Sequence, residues 1–243
     1  MQTILILGDG GLGTAVADAA RRRGDDVHVV GRPVDGRHDP STLTGADVIV
    51  EASRPDAVAT NVSSALEAGA TRFVIATTGW TADQTLVDGL LTANGAAAVA
   101  ASNFSLGVAL FGRLIDSAVA LFGRLDAFDP YLVEWHRRAK LDRPSGTARD
   151  LAGRIVEAHP GLSGPDDLEV VSIRAGSSPG MHLVGFDAPG ETVELRLTAR
   201  DRSAYAAGIL ASADWLTRTP RPAGVHAFDP IVDELLARDP VAA

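Results

Sequence analysis

Cysteine is absent from this chain of 243 residues, and Met (2), Tyr (2) and Trp (3) are scarce. Without thiols there are no disulfides, thiolate zinc sites, iron–sulfur clusters or cysteine nucleophiles. Long apolar runs are missing as well. The first, Ile4 to Leu7, falls far short of a signal-peptide core or of the roughly 20 residues that span a bilayer. A cytoplasmic protein without membrane association is expected. Positive charge is in deficit, with 22 Lys+Arg against 31 Asp+Glu for a formal net charge of −9. That sign disfavours tracking of phosphate backbones, so no nucleic-acid partner is expected. What is present is globular, 46% apolar and 22% charged. A chain this long buries roughly 70% of its unfolded surface and folds without covalent staples.

Over the first part of the chain, short Ile/Val-rich runs alternate with Ala-rich helical stretches across Gly or Pro breaks. The runs 3–7, 27–30, 48–51, 73–76 and 97–100 predict strands. Between them Leu12, Val16, Ala19 and Ala20, then Val58, Val62, Ala65 and Leu66, then Leu86, Leu90 and Leu91 recur at helical spacing. This alternation predicts an α/β fold with a Rossmann-like, doubly wound parallel sheet. From Leu106 the texture changes to a helix over 106–125, a strand over 128–135, a helix over 145–158 and strands over 168–174, 181–186 and 192–199. The last two are separated by the turn sequence Asp187-Ala188-Pro189-Gly190. Strands in succession predict a mixed sheet in a smaller α+β domain, closed by a helix over 203–215.

Directly after the first strand stands Gly8-Asp9-Gly10-Gly11-Leu12-Gly13, with Gly8, Gly10 and Gly13 in a G-x-G-x-x-G arrangement. A pyrophosphate needs backbone that it can approach without Cβ interference, and a helix N-terminus whose N–H groups face the anion. An ordinary glycine turn has the same letters. The position between a buried strand and an amphipathic helix favours dinucleotide binding. The second strand ends in Val29-Val30-Gly31-Arg32, without the acid that an NAD-preferring site uses on ribose hydroxyls. Arg32, with Arg37 nearby, suits a 2′-phosphate; its alternative is a solvated loop position. NADPH is therefore the expected cofactor, with NADH as the second choice. Ala76-Thr77-Thr78-Gly79 follows the fourth strand, at the edge where such sheets hold ligands.

The densest chemistry lies from Glu134 to Ala148, where Arg137, Arg138, Lys140 and Arg143 crowd an otherwise acidic chain beside His136. Charge alone fits a solvated surface. Pro144-Ser145-Gly146-Thr147, however, has the composition of a helix start, whose N–H groups would face whatever anion the cations attract. A carboxylate receptor follows. No pair of histidines has metal-ligand spacing in the sequence, and no metal is expected.

This stretch resembles the E-x-H-H-x-x-K-x-D-x-P-S-G-T-A signature of 4-hydroxy-tetrahydrodipicolinate reductases, with matches at Glu134, His136, Lys140, Asp142 and 144–148. Ser53-Arg54-Pro55, 76–80 and Ser102-Asn103-Phe104-Ser105-Leu106-Gly107-Val108 resemble further family motifs. So do Arg174-Ala175-Gly176, Gly180-Met181-His182, Gly190-Glu191 and Ala199-Arg200-Asp201-Arg202. Two departures stand out: Arg137 replaces the family's second histidine, and the glycine loop lacks its arginine and one residue.

The resemblance implies hydride transfer from a reduced nicotinamide to a cyclic conjugated imine bearing two carboxylates, in the diaminopimelate branch of lysine biosynthesis. His136 is then the general acid with Lys140 as its partner. Arg137, Ser145, Gly146 and Thr147 are expected to hold the carboxylates, with Thr78 contributed by the nucleotide domain. Gly8, Asp9, Gly10, Gly11, Leu12, Gly13, Arg32, Ala76, Thr77, Thr78, Ser102, Asn103 and Phe104 form the expected cofactor set. Trp80 and Phe104 fit either a nicotinamide pocket or the core, and His182, in a strand, reads as structural. The organisation expected is a dinucleotide-binding domain at 1–104, a substrate-binding and oligomerisation domain at 105–217 and a tail at 218–243 returning to the first, assembled as a homotetramer. Arg137 leaves open an imine reductase of the same fold acting on another cyclic dicarboxylate. A non-catalytic NADP(H) sensor is the reading from outside the enzymes.

Overall fold

The computed structural model describes residues 1–237. In chain order it begins with β1 (Thr3–Leu7), α1 (Gly11–Arg23), β2 (Asp26–Val30), β3 (Val48–Glu51), α2 (Val58–Glu67), β4 (Arg72–Ile75), α3 (Gln84–Ala93) and β5 (Ala97–Ala100). There follow α4 (Leu106–Phe122), β6 (Asp129–His136), α5 (Gly146–Ala158), β7 (Glu169–Arg174), β8 (Met181–Ala188) and β9 (Glu191–Thr198). The described chain closes with α6 (Ser203–Arg218), β10 (Gly224–His226) and α7 (Asp229–Leu236). Two compact units result: Met1–Leu106 with the segment from Arg202 onward, and Gly107–Asp201.

In the first unit, the strands form a sheet in the order β10-β5-β4-β3-β1-β2, and every pairing is parallel. This is the doubly wound sheet that the apolar runs predict. Side chains alternate along each strand. Leu5, Leu7, Ile49, Phe73, Ile75 and Ala98 join Val58, Val62, Ala65, Val87 and Leu91 of α2 and α3 in one core. Ile4, Ile6, Val48, Val50, Val74 and Val99 alternate with them and are equally buried, while α1 and α6 pack together. Each such side chain contributes about 1.5–3 kcal/mol on leaving water. No helix joins β2 to β3, because Gly31, Pro33, Gly36, Pro40 and Gly45 break any helical run. A single turn at Pro40–Leu43, capped by Asp39 on the Ser41 N–H at 2.9 Å, takes its place.

The expected domain boundary at 217 differs from the structure. Helix α6 lies with the first unit, where Ala206, Ile209, Leu210, Ala213 and Leu216 are buried. The Gln2 side-chain amide ties it to β1 by donating to Asp214 and Thr217, both at 3.0 Å. Of the tail, β10 pairs with β5; residues 238–243 lie outside the described residues.

The second unit holds a sheet in the order β7-β6-β8-β9, with β6 parallel to β7 and β8 antiparallel to β6 and β9. Helices α4 and α5 cover one face through Phe111, Ile115, Val119, Leu151 and Ile155, which pack on Leu132, Val184 and Phe186. Trp135, Val171 and Ile173 remain about 40% exposed on other positions of the sheet. The β8–β9 hairpin turns on Pro189-Gly190, with Gly190 at φ 99° where a type II turn needs a left-handed residue.

Candidate active site

Strand β6 alternates strictly, burying Pro130, Leu132, Glu134 and His136 while the residues between them are less enclosed. Its last two inward positions are therefore polar. Cross-strand register supplies their neighbours: Glu134 lies opposite Ser172 of β7 and His182 of β8, and His136 lies opposite Arg174.

The Glu134 carboxylate is fully buried and its Oε1 accepts three hydrogen bonds, from Ser172 Oγ at 2.5 Å, Arg174 Nη2 at 2.7 Å and the Ser145 N–H at 3.0 Å. Burial alone would push this carboxyl up, but these donors outweigh it and hold the group at about 2, so it is ionised. Its Oε2 faces two rings, His136 Nε2 at 3.2 Å and His182 Nε2 at 3.8 Å. The closer pair lies within ion-pair range but off the hydrogen-bond line, so neither Oε2 nor His136 Nε2 has a hydrogen-bond partner. Burial pulls His136 below the usual imidazole range, with Glu134 opposing and Lys140 and Arg174 reinforcing the shift. His182 is pulled further, to about 4, by burial and then by His136. The two rings meet edge to face with centroids 5.3 Å apart, and His182 also hydrogen-bonds Ser145 Oγ at 3.3 Å.

The loop from 137 to 145 leads from this cluster into α5. Ser145 caps the helix, its hydroxyl accepting from the Ala148 N–H at 3.2 Å while its own N–H points at Glu134. One residue therefore couples the helix start to the buried carboxylate. Gly146 and Thr147 begin α5 at its positive end, Arg137 is exposed and Lys140 is partly exposed, its ammonium 2.8 Å from Asp142. The structure thus gathers His136, Arg137, Lys140, Ser145, Gly146 and Thr147 at one end of the second unit; Thr78 belongs to the first.

In the first unit the expected nucleotide residues all follow the carboxyl ends of parallel strands. Gly8 has φ +122°, and a Cβ on Gly13 would stand 2.0 Å from the Gly8 carbonyl oxygen, so both positions require glycine. Gly10 opens on free space, and the Arg202 guanidinium lies against Gly11 beside the start of α1. This glycine cradle and cation fit a dinucleotide pyrophosphate. Arg32 is exposed, whereas Arg37 is engaged by Ser64 and Glu67 of α2. Thr77 is buried, its N–H donating to the Glu51 carbonyl at 3.2 Å, and the fully buried Glu51 carboxyl is raised by burial, partly offset by hydrogen bonds from Ser53 and Asn61. Thr78 and Ser102 are exposed, and the Asn103 side chain accepts from the Ser105 N–H at 2.8 Å. Phe104 and Trp80 are core residues: Phe104 packs on Phe228 at 5.2 Å, and Trp80 joins the apolar cluster under α2 and α3.

Sequence spacing gives no role to Arg174, Ser172 or His182, because only strand register brings them to Glu134 and His136. Ligand atoms of Glu134, His136 and His182 lie within 4.8 Å of one another, a proximity invisible in sequence. Arg174 and the field of Lys140 already supply positive charge there, which opposes a divalent cation.

Comparison with known proteins shows the family. Residues 3–104 match the family model described as dihydrodipicolinate reductase, N-terminus, and residues 107–230 its C-terminus. The chain is 33% identical over 192 residues to the 4-hydroxy-tetrahydrodipicolinate reductase of Chromobacterium violaceum, covering 73% of this chain and 70% of that protein. It is 36% identical over 191 residues to the enzyme of the same name from Sulfurovum sp., covering 72% of each. Among solved structures, the dipicolinate-bound dihydrodipicolinate reductase of Paenisporosarcina sp. TG-14 superposes with a TM-score of 0.69 at 21% identity, over 93% of this chain and 97% of that one.

Proposed function

The chain belongs to the dihydrodipicolinate reductase family and is an NAD(P)H-dependent oxidoreductase, and from that premise we propose that it reduces 4-hydroxy-tetrahydrodipicolinate to tetrahydrodipicolinate in the diaminopimelate branch of lysine biosynthesis. The observation that carries this reading is the buried Glu134–His136 pair set beneath a cationic loop that runs straight into the Ser145-capped start of α5. A doubly anionic, electron-poor ring needs donors for its carboxylates and a proton source beside them. Both stand at one end of this unit.

The substrate loses water to become a conjugated cyclic imine, then gains one hydride and one proton. The glycine cradle with Arg202 would hold the pyrophosphate of a reduced dinucleotide, which when bound would supply the hydride. Hydride arrival pushes electrons toward the ring nitrogen and the adjacent carbon, where an acid must deliver the proton. His136 is assigned that proton: the ionised Glu134 favours its charged form, and a hydrogen bond to the Pro179 backbone fixes its ring. Lys140, the more exposed of the two cations, meets the developing charge at the rim. Arg137 and the N–H groups of Gly146 and Thr147 receive the carboxylates; arginine grips a carboxylate in bidentate fashion where a histidine makes one bond.

NADPH is the assigned cofactor, supported by Arg32, which is exposed beyond β2 and forms no ion pair among the described residues. The exposed Trp135, Val171 and Ile173 support assembly through the second sheet, as a homotetramer. Among the described residues no helix is long and apolar enough to cross a membrane, and a cytoplasmic setting is part of the same reading. The decisive experiment supplies purified protein with 4-hydroxy-tetrahydrodipicolinate and NADPH and follows the nicotinamide absorbance band. Rapid substrate-dependent oxidation is expected. Folded protein that binds NADPH yet oxidises none would favour another cyclic dicarboxylate, the reading that Arg137 keeps open.

A further inference from the structure

We propose that Asp9 is the ribose-hydroxyl acceptor of the dinucleotide site and the residue that limits its preference for NADPH. The proposal rests on the dinucleotide-binding reading given above. In a doubly wound sheet the end of β2 is where the adenosine ribose is read, and a carboxylate there accepts from the two vicinal hydroxyls. The end of β2 in this chain is Val30-Gly31-Arg32, with no acid of its own. The structure brings one from the other side. The Gly8 N–H donates to the Val30 carbonyl at 2.9 Å, which pins the glycine loop to the end of β2. The next residue, Asp9, then lays its carboxylate over Gly31: a Cβ at position 31 would stand 3.0 Å from Oδ2 and 3.9 Å from Oδ1. A side chain at 31 would crowd the carboxylate, which is exposed to an incoming ligand.

Arg32, the residue after Gly31, feels the field of Asp56. Arg54 is paired with Asp56, and Arg37 is held by Glu67 and Ser64 on α2. Two opposite charges thus adjoin Gly31: Asp9, whose carboxylate lies over it, and Arg32, which follows it in the chain and is exposed. A diol satisfies the carboxylate, whereas a 2′-phosphate is drawn by Arg32 and repelled by Asp9. Opposed single charges at an exposed site make the site usable by both dinucleotides, with each charge worth about tenfold in affinity after screening.

The test is fluorescence titration of NADPH and NADH against the full chain and its Asp9→Asn, Gly31→Ala and Arg32→Ala variants, without substrate. Asp9→Asn is expected to weaken NADH about tenfold and to leave NADPH unchanged or tighter. Gly31→Ala, whose methyl crowds the carboxylate, should move the ratio of the two dissociation constants in the same direction by a smaller factor, and Arg32→Ala should move it in the opposite one. Equal changes for both dinucleotides in Asp9→Asn and Gly31→Ala would overturn the assignment while leaving dinucleotide binding intact. An unmutated chain that binds neither would overturn the underlying reading, and this assignment with it.

Discussion

Replacing Glu134 by Gln removes one negative charge from the most enclosed ion pair in the second unit. The side chains of Arg174 and Glu134 are 1% and 0% exposed and 2.7 Å apart, so solvent does not screen the loss. Deleting one partner of such a pair strands the other, at a cost of about 3–5 kcal/mol. Against a typical total of about 5–15 kcal/mol, that loss is large. The amide oxygen keeps part of the hydrogen-bonding from Ser145 and Arg174, which places Glu134→Gln toward the lower end and Glu134→Ala toward the upper. A second signature separates this effect from mere loosening. Glu134 raises the His136 pKa against the pull of burial, so activity that needs protonated His136 falls at lower pH once the carboxylate is gone. Urea unfolding measures the first quantity and a pH–rate profile the second. Arg174→Met in the Glu134→Gln background should restore part of the stability, because it removes the stranded cation. A loss below about 1 kcal/mol together with an unmoved alkaline limb would refute the argument.

Replacing His136 by Gln or Lys140 by Ala should lower kcat by about 10²–10⁴ while leaving NADPH affinity within about twofold; equal losses in both would point to a structural role. His182 is held at about 4 in the folded chain against 6.5 when unfolded, so its contribution is complete above pH 6.5 and is lost as pH falls toward 4. The loss is about 3 kcal/mol, and His182→Asn should flatten that acid slope in thermal or urea unfolding. Gly13→Ala drives a Cβ into the Gly8 carbonyl, and loss of dinucleotide binding is expected by titration; retained affinity would show that the cradle is not used.

Much of the fold is legible because apolar periodicity is local. The strand runs of the first unit and the Ser145-capped helix emerge from spacing alone, within a residue or two. The helix expected over 106–125 stops at Phe122, where Gly123 follows. Helix α6 shows why domain membership is harder: its apolar stripe demands a partner but does not say which sheet supplies it. Strand β10, three residues in a Pro-rich tail, carries too little pattern to be seen. In the site the same distinction holds. His136, Lys140 and Ser145 to Thr147 are contiguous and announce themselves as a cluster. Arg174, Ser172 and His182 reach Glu134 only through the pairing of β6 with β7 and β8, and register is set by tertiary packing. Asp9 and Gly31 meet for a similar reason, across the ends of two parallel strands.

In the proposed reaction the loop after β6 and the start of α5 receive a planar dicarboxylate. Crystals grown with NADPH and pyridine-2,6-dicarboxylate test it most directly. The account predicts one carboxylate on the Gly146 and Thr147 N–H groups and the ligand within reach of Lys140 and Arg137. A ligand seated elsewhere, with those groups left to solvent, would contradict it.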